Sequence, residues 1–117
     1  RLLPEPGLSP QSMWLEYDAT GDLYAWDYLL DAVALSSSTE VWEPLPRIPL
    51  EERECYARGA STRAQVLMTY CGVGAVLDRA TRSWTQLSLP ISQIPPIGTP
   101  DGIVFFTSSG AVLLPSE

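Results

Sequence analysis

Two stretches of the chain echo one another 42 residues apart, and this echo limits the possible folds more than any other feature. The first reads Ala32-Val-Ala-Leu-Ser-Ser-Ser-Thr-Glu-Val-Trp42-Glu-Pro-Leu-Pro46. The second reads Gly74-Ala-Val-Leu-Asp-Arg-Ala-Thr-Arg-Ser-Trp84-Thr-Gln-Leu-Ser-Leu-Pro90. Each is a short apolar segment, a polar turn, a tryptophan, a leucine three residues on (Leu45 and Leu87), and then prolines. A period of this length belongs to architectures whose single units cannot bury their own apolar face and therefore stack on a neighbour.

The rest of the chain reads as strands. Residues 1–12 carry three prolines and a glycine and form an extended lead-in; residues 13–117 form one domain, with repeat-like units at about 13–53, 54–96 and 97–117. Met13–Asp18 and Leu23–Leu30 flank a tight turn at Gly21. Further strands are expected at Ala32–Leu35, Glu40–Leu45, Glu54–Gly59, Gln65–Gly72, Gly74–Leu77, Ser83–Leu89, Ile103–Thr107 and Ala111–Leu114, about ten in all. In the second of these, Tyr24, Trp26, Tyr28 and Leu30 share one face and Leu23, Ala25 and Leu29 the other, with Asp27 the exception; a strand apolar on both faces is sandwiched. Ile91–Pro100, with three prolines, reads as loop. No segment sustains a helical apolar period beyond one turn at Leu50–Arg53, so the expected class is all-β and antiparallel.

Composition narrows the function. The chain of 117 residues is one domain with a formal charge of −7, which disfavours nucleic acid and anionic membrane surfaces as partners. No apolar run is long enough to span a bilayer as a helix. The sequence contains no histidine, lysine or asparagine, and all seven cations are arginine. That removes the usual general base, the commonest metal ligand, the Schiff-base amine and the phosphate-binding lysine. The expectation is a non-enzyme with no cofactor and no metal. The serines at Ser36–Ser38 and Ser108–Ser109 lie in turns, without the surroundings of a nucleophile elbow.

The unit of apolar strand, turn, x-Trp-x-x-Leu, prolines and two further strands ending near glycine resembles the blade of a Kelch-type β-propeller. Arg79-Ala-Thr-Arg-Ser-Trp84-Thr-Gln-Leu87, preceded by Leu77-Asp78, is similar to that family's turn between third and fourth strands. In this resemblance Trp42 and Trp84 stand for the family's tryptophan, and Gly72 and Gly110 for the second glycine of its diglycine. It covers residues 13–114, as two blades and part of a third. There are departures: neither site has a Gly-Gly doublet, Leu77 replaces the aromatic residue before Asp78, and the first copy lacks the aspartate. Because propellers close with at least four blades, the resemblance implies an incomplete propeller completed by copies of itself or by another chain. The alternative fold is a small β-sandwich or barrel.

Candidate site residues follow. Cys55 and Cys71 are the only cysteines. If the hairpin turns around Ser61–Ala64, they face each other across it and can bridge, which would place the chain in an extracellular or otherwise oxidising compartment; a one-residue slip puts them on opposite faces, as buried thiols. Glu16, Asp18, Asp22 and Asp27 read as turn formers, because the spacing of a calcium loop is absent. Glu51-Glu52-Arg53-Glu54 reads as a charged surface segment. Most aromatics of the first hairpin read as core, with Trp14, Tyr17 and Trp26, together with Arg79 and Arg82, the candidates for partner contact. The function expected is recognition or assembly through protein–protein contacts. A sugar-binding lectin role and a fragment of a larger propeller enzyme are the alternatives.

Overall fold

The computed structural model describes residues 4–9, 13–17 and 21–115. Among these the chain forms eleven strands and no helix: β1 (Trp14–Tyr17), β2 (Leu23–Trp26), β3 (Ala32–Leu35), β4 (Trp42–Pro44), β5 (Arg58–Ser61), β6 (Gln65–Tyr70), β7 (Val73–Asp78), β8 (Ser83–Gln86), β9 (Ile97–Thr99), β10 (Gly102–Thr107) and β11 (Gly110–Pro115). They assemble into three antiparallel meanders, β1-β2-β3-β4, β5-β6-β7-β8 and β9-β10-β11. The first strands of successive sheets lie against one another, β1 on β5 and β5 on β9.

The second sheet is the middle layer of the stack. Val66, Met68, Tyr70, Ala75 and Leu77 on its one face pack against Tyr24, Trp26, Ala32 and Ala34 of the first sheet. On its other face, Ala60 and Leu67 pack against Ile103 and Phe105 of the third sheet, with Ile91 from the connecting loop. Strand alternation sends adjacent residues of β6 into the two different cores. That is why β6 is apolar at Val66, Leu67, Met68 and Tyr70 and buried along almost its whole length. Gly59 permits the close approach of the first two sheets: a Cβ there would land on the Trp26 indole and the Leu67 carbonyl.

The repeat persists at the level of register and hydrogen bonds. Leu35 lies opposite Trp42 and Leu77 lies opposite Trp84. The Leu45 amide donates to the Ala32 carbonyl, and the Leu87 amide donates to the Gly74 carbonyl. Gly72 adopts φ +79 in the two-residue turn between β6 and β7, following Cys71 at φ +51, the paired left-handed conformation that such hairpins favour. The same place in the first sheet is held by Leu30, also left-handed at φ +67 and fully buried. Its apolar burial offsets a backbone strain of about 1–2 kcal/mol. The Leu30 and Gly72 carbonyls each accept an amide from the chain leaving their sheet, from Ile48 and Ile91 respectively.

Three expectations are corrected. The strand expected to run from Leu23 to Leu30 ends at Trp26, because the buried Asp27 carboxylate accepts the Leu29 and Asp31 amides and closes a turn, while its other oxygen accepts the Ser9 amide. The segment Glu54–Ala57 is loop, and β5 starts at Arg58. Ile97–Thr99 is a strand although prolines surround it. It pairs with Gly102–Val104, and Gly98 rests directly on the Ser61 backbone, where no side chain fits. Asp18 and the expected strand's end at that residue lie outside the described residues, as do parts of the lead-in.

Candidate functional site

The repeat tryptophans hold the array together along one side. Trp84 on β8 meets Trp26 of the first sheet edge to face, ring centroids 6.3 Å apart at 86°. Its indole N–H donates to the Pro46 carbonyl at 2.9 Å, on the segment linking the first sheet to the second. Trp42 on β4 donates to the Pro4 carbonyl at 2.7 Å. Each bond reaches back 38 residues, so Pro4 stands to the first sheet as Pro46 stands to the second. Leu45 is buried in the core between the first two sheets, and Leu87 packs half-buried in the next. Gly72 lies within the β6–β7 turn and Gly110 starts β11 just after the β10–β11 turn, so both mark a passage from second to third strand, one position out of step.

Both candidate arginines reach across to the first sheet. The Arg79 guanidinium donates through Nε to the Tyr24 hydroxyl at 2.8 Å and through Nη1 to the Arg63 carbonyl, and its Nη2 pairs with Asp22 at 3.2 Å. Its Cζ lies 5.9 Å from the centroid of the Tyr24 ring. With side chains only 16% and 25% exposed, the Arg79–Asp22 pair is a tie between sheets, and most of the Arg79 side chain is engaged there. Arg82 pairs with Glu43 at 3.1 Å across the outer strands, both half-exposed. Trp26 is fully buried and is core, which corrects its place among the contact residues. Trp14 is half-buried against the same core, with its N–H on Glu16. Tyr17 alone of the three is widely exposed, at 66%.

Cys55 and Cys71 form a disulfide with Cα atoms 5.6 Å apart. It does not cross the hairpin as expected. Arg58 faces Thr69 and Ser61 faces Val66, one residue off the expected register. The bridge forms all the same because Cys55 precedes β5 in a loop and Cys71 lies in the left-handed turn after β6. Nearby, the Tyr70 hydroxyl reaches the Tyr28 and Arg53 carbonyls and accepts the Arg53 amide at 2.7 Å, so the loop carrying Glu51–Glu54 is tied to both sheets.

The acidic side chains of the first hairpin that lie among the described residues are occupied. Glu16 accepts the Trp14 indole and the Ser61 hydroxyl, Asp22 accepts the Ser37 amide besides Arg79, and Asp27 is the buried turn former described above. Among the described residues no three His, Cys, Asp or Glu side chains gather to hold a metal ion.

Sequence reasoning did not single out two exposed features. At the ends of the first strands, Tyr17, Ser61, Thr62, Arg63, Thr99 and Pro100 line a cleft of about 470 Å³. The Thr62 hydroxyl is buried there without a hydrogen-bond partner. The other feature is the outer face of the third sheet, where Ile97, Val104 and Leu113 form one cross-strand row and Ile97 and Leu113 are 56% and 50% exposed. Neither shows in a one-dimensional pattern, since each joins residues from separate strands. Comparison with known proteins returned no matching family and no matching curated relative.

Proposed function

We propose that the chain is a non-catalytic recognition and assembly module, built from consecutive Kelch-like propeller blades and acting through protein–protein contacts. The observation that carries this reading is the repeated indole bond, Trp42 to Pro4 and Trp84 to Pro46. It relates the first two sheets as copies of one unit and supports reading them as successive blades. Their meander order and the contact of their first strands fit the way blades converge on an axis. The third sheet's row of Ile97, Val104 and Leu113 occupies the positions that Ala60, Leu67 and Val76 use in the second sheet to meet its neighbour. An apolar face of that kind calls for a protein partner, either another copy or another chain.

The native mass by light scattering on a size-exclusion column tests the reading. A discrete oligomer, or a stable complex with a second chain, is the expected result. A dispersed, well-folded monomer of 12.8 kDa with that apolar row open to solvent refutes it. The disulfide fits an oxidising compartment.

A carbohydrate-binding role is the second reading, favoured by the cleft. An exposed Tyr17 ring beside the exposed Arg63 is the combination of apolar platform and polar group with which sugars are held. Titration with neutral and acidic oligosaccharides should shift the amide resonances of Thr62 and Thr99. Unchanged resonances at millimolar sugar remove this reading.

A further inference from the structure

The first two sheets have a fourth strand; the third, among the described residues, has three. We infer that the free edge of β11 is a strand-addition site, and that its occupant is an antiparallel strand of the Trp-x-x-Leu type with its tryptophan opposite Leu114. The inference rests on the blade reading above, because the repeat defines the occupant's chemistry.

The register identifies the socket. In the second sheet Ser61, Val66 and Leu77 form one cross-strand row, and Trp84 completes it. In the third sheet the corresponding row is Gly98, Ile103 and Leu114, and nothing follows Leu114 among the described residues. Leu114 is half-buried against the core between the second and third sheets, the same setting on which Leu77 receives Trp84 one sheet earlier. The counterpart of Pro46, which accepts the Trp84 indole, is Ser88: Leu45 and Leu87 make equivalent amide bonds, and each of these residues follows directly.

The backbone of β11 is set for the same bonds. The two-residue turn at Ser108–Ser109 makes Thr107 and Gly110 a hydrogen-bonded pair, so Val112 and Leu114 also turn their amides toward β10. Ala111 and Leu113 therefore direct theirs outward. These positions match Gly74 and Val76 of β7, which serve β8: the Gly74 carbonyl accepts the Leu87 amide and Val76 lies opposite Thr85. One difference exists. Pro115 stands where β7 has Asp78, so an added strand forms one bond fewer at that end.

The occupant needs a tryptophan because that residue anchors the fourth strand. Of the four residues of β8, only Trp84 is half-buried; the other three are exposed. β4 shows the same pattern, with Trp42 its only half-buried residue. Such an edge strand is held by backbone pairing, one aromatic anchor and the leucine three residues on.

The test uses the full chain and a peptide with the sequence of residues 82–90, Arg-Ser-Trp-Thr-Gln-Leu-Ser-Leu-Pro. Amide exchange is followed by NMR and affinity by anisotropy of the labelled peptide. The expected result is slowed exchange at Ala111 and Leu113, and an affinity about tenfold weaker when the peptide's tryptophan is alanine. Leu113→Pro removes an outward amide at an exposed edge position and should abolish peptide binding while the resonances stay dispersed. Unslowed exchange at both residues, or equal binding of a scrambled peptide, overturns the inference. The two readings fail separately. A dispersed monomer that still binds the peptide sinks the assembly reading and leaves the strand site standing. An oligomer that neither binds the peptide nor is dissociated by it sinks the strand site alone.

Discussion

Replacing Trp84 by alanine measures what holds the first two sheets together. The edge-to-face contact with Trp26, at 6.3 Å and 86°, contributes about 0.5–1.5 kcal/mol beyond area burial. Half-burial of the indole removes roughly 100 Å² from water, or about 2.5 kcal/mol at 25 cal/mol per Å². The bond to the Pro46 carbonyl lies at the surface, where water can replace it, and adds about 0.5–1 kcal/mol. The contributions overlap, and the expected loss is about 3 kcal/mol, at the low end for tryptophan truncation. Urea unfolding should show this as a midpoint lowered by about 2 M at an unchanged slope of about 1.5 kcal/mol/M. Trp84→Phe keeps the ring contact and forfeits the N–H, so it should lose only about 1 kcal/mol. Trp42 makes the equivalent bond to Pro4 but has no ring partner among the described residues. Trp42→Ala should therefore cost about half as much as Trp84→Ala. Equal losses at the two sites, or a loss below about 1 kcal/mol at Trp84, would refute the argument that the Trp26–Trp84 contact docks the sheets.

Three further outcomes are expected. Reducing the Cys55–Cys71 bridge, or replacing both cysteines by serine, releases a loop with a sequence separation of 16 and should lower stability by about 3 kcal/mol, read as a thermal midpoint about 12 °C lower. Arg79→Gln breaks a largely buried pair and should cost about 2–3 kcal/mol with little salt dependence, whereas Arg82→Gln at the exposed Glu43 pair should cost under about 1 kcal/mol and nothing at high salt. Gly59→Ala forces a Cβ into the Trp26 ring and the Leu67 carbonyl and should destabilise by about 2–3 kcal/mol, with the Trp26 indole resonance shifted. A neutral Gly59→Ala would show that the first two sheets lie further apart than described.

Much of the architecture is legible in the chain because strand formation follows local patterns. Alternation, turn glycines and prolines locate ten of the eleven strands, mostly to within a few residues. The exception, β9, sits among Pro95, Pro96 and Pro100. It is a strand because β10 offers it an edge and because Gly98 can lie flat on Ser61. The 42-residue echo was readable as a repeat, and the structure gives it a physical basis in matched registers, matched amide bonds and a matched indole bond.

The candidate contact residues were less legible. A tryptophan on a strand face and an arginine in a turn look the same whether they meet solvent or a neighbouring sheet, so sequence could not separate buried Trp26 from exposed Tyr17. Likewise the disulfide was readable as a pair of cysteines, but its route from a loop into a left-handed turn depended on a register one residue away from the expected one. The sequence by itself determined the strand class, the period of the repeat and the absence of histidine and lysine chemistry, since each is written in residue type and local spacing. The tertiary structure alone decided that Arg79 and Asp22 tie two sheets together, that Ile97 and Leu113 come to lie exposed in one cross-strand row, and that β11 ends the third sheet with an edge unpaired among the described residues. Those outcomes depend on which strands meet across long stretches of chain, and contacts of that kind leave no local signature.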